Sequence, residues 1–357
     1  MRKRSSSKKK IRKKIIVVVS AALAVLVAAA GLLYLAQDRG TVTGVSLPSI
    51  GEKPPMELLI KGCLFDLGIS EKDVRFSGGT VQVNLRAALS RKELSRAFSA
   101  LEDAGEVSVV DEGHVRVTAG KSRWDIRFSK PQAGTARCAI IVDDMGLNLK
   151  WAKALSAIDA DLTFSVLPDR SFSVRAARYL HGQGREVLLH LPMEGSGKDP
   201  GQGAIYRNMS RSEILSVLRR NLELVPHIKG VNNHMGSRVT PDTAIMRLVL
   251  SEIGDRGLFF VDSLTTSASV CRAVAGEVGL PFVARDVFLD NDRDYPSITA
   301  QIDRLVKIAL KHSQAVAICH PYPETIAVLE REIPRIRQRG VEIVPVSVLV
   351  RPVGSAP

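Results

Sequence analysis

The sequence predicts an α/β fold: a (β/α) barrel of seven or eight strand–helix units over residues 136–350, distorted or incomplete, preceded by a transmembrane helix and a small α+β domain. Three observations carry this. Apolar, strand-like runs alternate with stretches of helical periodicity through the C-terminal part of the chain. Such near-continuous apolar strands, interleaved with helices, mark a parallel sheet covered on both faces. Four of the runs end in short polar motifs, the position where α/β folds collect their sites. At the other end, a basic tail precedes an apolar run long enough to cross a bilayer.

The elements follow in chain order. Residues 1–14 carry nine Lys or Arg and no acid. Ile15–Ala36 is apolar apart from Ser20 and Tyr34, and at about 1.5 Å per residue it spans roughly 33 Å. A secretory h-region is shorter, about 7–15 residues, so the segment reads as an uncleaved signal anchor. The positive-inside rule leaves the tail in the cytoplasm and the rest on the far side, the periplasm in a bacterial cell with two membranes. The predicted location is therefore single-pass in the cytoplasmic (inner) membrane with the barrel extracytoplasmic. The formal charge of +13 is concentrated in the tail, so the basicity points to topology and anionic lipid rather than to nucleic acid.

Residues 37–55, rich in Gly, Pro, Ser and Thr, form a linker. Residues 56–130 read as the small domain. Met56–Leu67 has helical spacing, and Ser90–Ala104 is a helix with Ser90 as N-cap and Glu93 at the capping-box position. Strand-like runs lie at Val74–Leu85, Val107–Val110, Val115–Ala119 and Trp124–Phe128. This domain shows no catalytic constellation, so it reads as a spacer or as an interaction module for a protein partner. The barrel strands are expected at Cys138–Val142, Leu162–Leu167, Glu186–Leu189, Gly230–Asn232, Leu258–Val261, Pro281–Ala284, Ala315–Cys319 and Val341–Val344. Helices are expected at Arg211–Leu224, Ala244–Arg256, Ser297–Lys311 and Glu324–Arg339, with Thr240-Pro241 as an N-cap and first-turn proline. The four cysteines form no CxxC or zinc-ribbon pattern and their pairing is not readable.

The polar motifs are AIIVDDMG (139–146), EVLLHLPME (186–194), GVNNHMGS (230–237) and VAICHPYPE (316–324). Asp143 and Asp144 at a strand end suit a division of labour, one binding a metal and the other free as a base. The alternative is a helix cap beside a solvated carboxylate. His190 is a candidate metal ligand and Glu194 a second ligand or an orienting group, in a loop that Pro192 keeps from being helical. Around His234, the side-chain amides of Asn232 and Asn233, with Ser237, can orient substrate or water. His320, in a loop stiffened by prolines, is a natural general acid. Asp262, Arg285 and Asp286 end further strands, Asp290 follows shortly after, and all are weaker candidates, with a structural ion pair as the alternative. His114, His181, His227 and His312 fall outside the pattern.

On these motifs the chain resembles the polysaccharide deacetylase superfamily, the NodB-like enzymes, and within it the divergent YibQ-like branch, over about 136–350. The resemblance implies a distorted barrel of the NodB-like type, a divalent metal, zinc or a similar ion, an Asp base and a His acid. Val-Asp-Asp-Met-Gly matches the first motif, which makes Asp143 the base and Asp144 a ligand. His-Leu-Pro-Met-Glu matches the His-x-x-x-His metal motif with Glu194 replacing the second His, and Asn-Asn-His-Met-Gly stands where the family has an Arg motif. His190 is then a ligand and His234 supplies the missing imidazole. Ile-Cys-His-Pro matches the final motif, which makes His320 the acid. The implied activity is metal-assisted deacetylation of peptidoglycan or another acetylated polysaccharide. Two other readings stay open: a barrel that has lost turnover and works as an envelope glycan-binding or scaffold protein, and a glycosidase using Asp143 and Glu194 as a carboxylate pair. Aromatic residues make up only 5% of the chain, so no extended sugar-stacking cleft is evident.

Overall fold

The structure, a computed structural model, describes residues 55–129 and 136–354. The expected tail and membrane segment, and all of the linker except residue 55, lie outside them. Among the described residues no helix is long and apolar enough to cross a membrane.

The first part comprises helix α1 (Met56–Asp66), strands β1 (Val74–Ser77) and β2 (Thr80–Val83), helix α2 (Arg91–Phe98), and strands β3 (Glu106–Asp111), β4 (His114–Ala119) and β5 (Ser122–Phe128). The strands form one sheet in the order β1-β2-β5-β4-β3. One face of that sheet packs with the helices through Ile60, Leu64, Val81, Leu94, Phe98, Val117 and Ile126. The capping box at Ser90 and Glu93 is present and starts α2.

From Ala136 onward the sequence folds as alternating strands and helices: β6 (Ala136–Met145), α3 (Leu149–Ser156), β7 (Thr163–Val166), α4 (Ser173–Gly182), β8 (Glu186–Met193), α5 (Arg211–Leu224), β9 (Ile228–Met235), α6 (Thr243–Asp255), β10 (Phe259–Asp262), α7 (Cys271–Val278), β11 (Pro281–Ala284), β12 (Val287–Phe288), α8 (Tyr295–His312), β13 (Gln314–Cys319), α9 (Pro323–Gln338), β14 (Val341–Ile343) and β15 (Arg351–Pro352). The strands make a ten-stranded sheet in the order β12-β13-β6-β7-β8-β9-β10-β11-β15, with β14 beside the start of β6. Every pairing along it is parallel except β11 with β15. The sheet curls into an incomplete barrel. Its ladder is interrupted at Arg285–Asp286, where the segment leaves β10 for β13: Arg285 N donates to Asp262 O, and Asp286 N to Val316 O.

Alternation divides the core in two. Ala139, Ile141, Leu188, Val261, Val316 and Ile318 pack together on the concave side, while Ile140, Val142, Leu189, Val231, Phe260 and Ala317 pack against the helices. All four cysteines are buried free thiols. Complete burial pushes the Cys138 thiol up to about 12, out of reach of thiolate chemistry.

Three local expectations change. The N-cap of α6 is Asp242, whose carboxylate accepts from Ala244 N and Ile245 N, rather than Thr240. β8 runs through His190 and Pro192 to Met193, where a loop was expected. Pro192 is tolerated because β7 has ended opposite Leu189. On that open flank the Pro192 carbonyl accepts from Ile205 N, so no ladder donor is missed. β9 likewise extends to Met235 and carries His234 on the strand. At the opposite end of the strands, α9 grips the first part of the chain: the Gln338 side chain accepts from Arg86 N at 3.0 Å and donates to Ala87 O at 2.8 Å. Arg335 pairs with Asp66 at 3.2 Å.

Candidate metal centre

Strand parity decides which polar residues meet. Asp143 lies two residues beyond Ile141, His190 two beyond Leu188, and His320 two beyond Ile318, so each continues a concave-facing row. On β9, Val231 faces the helices, which turns Asn232 and His234 inward. Asp144 should point away from this face. It does not, because β6 carries one extra residue against β7: Val142 pairs with Phe164, but Met145 with Val166. Within that bulge Asp144 has φ +56° and Gly146 φ +105°. The left-handed turn brings both neighbouring carboxylates toward one imidazole, with His190 Nε2 3.6 Å from Asp143 Oδ2 and 3.3 Å from Asp144 Oδ1. Holding a non-glycine residue there costs on the order of 1–3 kcal/mol, a strain that concentrates at functional sites.

Asp144 Oδ1, His190 Nε2 and His234 Nδ1 form a triangle with sides of 3.3, 3.2 and 3.1 Å. Among the described residues this is the one group of three or more His, Cys, Asp or Glu side chains whose ligand atoms converge this way. Tetrahedral zinc bonds of about 2.0–2.1 Å require ligand atoms about 3.3 Å apart. The donor set, one carboxylate and two imidazoles, and its spacing therefore fit a divalent ion with a coordination position left open. Asp144 Oδ1 is also buried without a hydrogen-bond partner, as a ligand oxygen would be. Burial pushes this carboxyl up, but His190 and His234, in their protonated forms, outweigh it and hold it far below the usual carboxylate range.

Asn232 orders the interior of the site. Its Nδ2 donates to Asp143 Oδ1 at 2.8 Å, which fixes the amide orientation. Its Oδ1 then accepts from Ser165 Oγ and lies 2.8 Å from His190 Nδ1. That contact places the His190 proton on Nδ1 and leaves the Nε2 lone pair facing the triangle. Asp143 is fully buried beside it. Burial raises its carboxyl pKa, only partly offset by His190, His320 and the Asn232 amide. On the opposite side, His320 Nε2 lies 3.9 Å from Asp144 Oδ2. Its Nδ1 is 3.1 Å from buried Asp290 Oδ1, and its backbone N donates to Asp290 Oδ2 at 2.7 Å. Burial pushes the imidazole toward its neutral form, but Asp290, with Asp143 and Asp144, overrides this and raises its pKa.

Residues 140–350 match the family of divergent polysaccharide deacetylases. The chain belongs to that family. It is 32% identical over 196 residues to an uncharacterized protein of Haemophilus influenzae, a match covering 55% of this chain and 70% of that one. It is 32% identical over 198 residues to the uncharacterized protein YibQ of Escherichia coli, covering 55% of this chain and 62% of that one. Among solved structures, the uncharacterized protein ATU2773 of Agrobacterium tumefaciens is 27% identical with a TM-score of 0.59, covering 62% of this chain and 92% of that one.

In this member of the divergent polysaccharide deacetylase family the remaining expected site residues lie apart from the triangle. Glu194, just beyond β8, pairs with Arg238 at 2.9 Å and accepts from Arg207 N at 2.9 Å. It closes the loop after β8 and is not a member of the ligand group. Asn233 has the opposite parity to Asn232; its side chain accepts from Ser263 N and donates to Met235 O. Ser237 accepts from Ser196 N. Asp262, on the helix-facing parity, accepts from Leu264 N and Ser269 Oγ. Asp286 accepts from Val316 N where the strand changes neighbours. Arg285 donates to Ser263 O and Leu264 O, and its guanidinium lies over Phe288 at 5.2 Å. Asn232, one of the two amides beside His234, and Asp290, a weaker candidate from sequence, carry the orientation instead. For Asn232 the further signal was parity with His234. The pairing of Asp290 with His320 gave no local signal, because the two lie 30 residues apart.

Proposed function

We propose that this chain is a metal-dependent deacetylase of an N- or O-acetylated glycan. One observation carries the reading: three ligand atoms 3.1–3.3 Å apart, with Asp143 and His320 beside them. Asp144, His190 and His234 would hold the ion, zinc or a similar divalent metal. Bound there, it supplies Lewis acidity, acidifying water and polarising an acetyl carbonyl.

The chain's own residues do the rest. Asp143, whose raised pKa makes it a stronger base than an ordinary carboxylate, takes a proton from the attacking water through Oδ2. Asn232 keeps Oδ1 occupied and the carboxylate in place. His320, oriented through Nδ1 by Asp290, delivers a proton from Nε2 to the departing amine or alcohol. The basic tail and apolar run support a single-pass anchor with the barrel on the periplasmic side, where peptidoglycan or an exported polysaccharide is the substrate class. The ion pair of Glu194 with Arg238 weighs against its use in a glycosidase carboxylate pair.

The test is acetate release from acetylated glycans by the full chain in detergent, loaded with zinc. Asp143→Asn and His320→Gln are each expected to lower the rate by about 100-fold or more. No acetate release from peptidoglycan or any acetylated polysaccharide tried, with glycan binding retained, refutes the reading and leaves a binding protein.

A further inference from the structure

His320 lies within a stack of side chains. Its ring lies 5.2 Å from that of Phe288 and 5.4 Å from that of Tyr322, centroid to centroid. Beyond Tyr322 lies the guanidinium of Arg293, 3.7 Å from the ring centroid, with Nη2 donating to the Tyr322 hydroxyl at 2.8 Å. Arg293 is exposed. Among the described residues no carboxylate pairs with it, although Asp292 and Asp294 flank it in sequence; the Asp294 carboxylate instead accepts from Ser297 N at the head of α8. The result is an exposed guanidinium fixed in place by an aromatic face and a hydroxyl. Tyr322 links it to the imidazole assigned to protonate the leaving group. A planar guanidinium already held in one orientation loses little freedom on meeting a planar anion, and its fork matches carboxylate and phosphate oxygens.

Resting on the deacetylase reading, we propose that Arg293 and Tyr322 form a subsite for an anionic substituent on the leaving part of the glycan, so that the substrate class is an acidic acetylated glycan rather than a neutral one. Tyr322 touches both His320 and Arg293, which places an anion at Arg293 on the amine-bearing sugar or its neighbour.

The experiment measures binding calorimetrically with the full-length Asp143→Asn chain in detergent, so that turnover does not intervene. The probes are an acetylated oligosaccharide bearing carboxylates, the same compound with those groups reduced to alcohols, and a phosphorylated oligosaccharide with its dephosphorylated form. An exposed charge-assisted contact predicts about tenfold tighter binding of the anionic member of at least one pair at low salt. Whichever pair shows the larger preference identifies the substituent. Arg293→Gln should abolish that preference while changing affinity for the neutral compounds by no more than about twofold, and Arg293→Lys should restore part of it. No preference in the parent, or a preference that survives Arg293→Gln, overturns the proposal. Acetate release from wild type on the neutral and anionic probes separates the two claims. No release from either sinks the deacetylase reading but leaves the charge preference measurable. Release without charge preference sinks the subsite alone.

Discussion

Asn232 is the residue whose loss the structure makes most legible. It is fully buried and holds four side chains at once: Asp143, His190, Ser165 and Ser263. Asn232→Leu keeps the volume roughly constant and removes every one of those hydrogen bonds. The His190 Nδ1–H, Asp143 Oδ1 and the Ser165 hydroxyl are then left buried without partners. At about 1–3 kcal/mol for each unsatisfied group, the metal-free protein should lose on the order of 3–9 kcal/mol of stability. The imidazole also loses the acceptor that fixes its tautomer and orientation, which typically costs 10–100-fold in metal affinity. Asn232→Asp separates the two effects. It keeps an acceptor for His190 but places a second carboxylate against Asp143, so metal affinity should suffer less than acetate release. Zinc competition against a chelating dye, with denaturant melts of the metal-free proteins, reads both quantities. If Asn232→Leu binds zinc as tightly as wild type, the orientation argument is wrong.

Three further outcomes follow. Asp290→Asn removes a carboxylate that raises the His320 pKa. An acid must hold its proton to act, so activity persists below the His320 pKa and falls as pH rises through it. The alkaline limb of the pH–rate profile should therefore move to lower pH, and an unmoved limb would separate Asp290 from His320. Burial raises the Asp143 carboxyl pKa; a base must be deprotonated to act, so activity should fall as pH drops through an acid limb above the ordinary carboxylate range, checked in the same profile. At Gly230, a Cβ would fall on the Phe259 ring, with ring carbons 2.5 and 2.7 Å away. Gly230→Ala should cost about 1–3 kcal/mol, read as a lower urea midpoint at unchanged slope, and an unchanged midpoint would show that Phe259 moves aside freely.

Much of the barrel was readable because its strands are apolar runs that end in acids, amides and imidazoles. Asp143, Asp144, His190, His234 and His320 converge because four of them share strand parity and a bulge corrects the fifth. That bulge at Asp144 left no mark beyond Gly146. The limits of the reading are equally physical. Pro192 read as a strand terminator, since sequence does not show that β7 stops three residues short of it. Asn232 and Asn233 read alike as orienting amides, although period two already favours Asn232, which shares the parity of His234. Glu194 looked like a ligand from its four-residue spacing to His190, but the loop that returns Arg207 and Arg238 to it is a long-range feature. Asp290 depends on a contact across 30 residues, which no local pattern reports.

The most direct measurement is the metal content of the purified full chain by elemental analysis, beside Asp144→Ala and His190→Ala. The account predicts about one divalent ion per chain in wild type, lost in both variants while the fold persists by circular dichroism. Stoichiometric metal retained by either variant, or none in wild type after reconstitution with zinc, would contradict it.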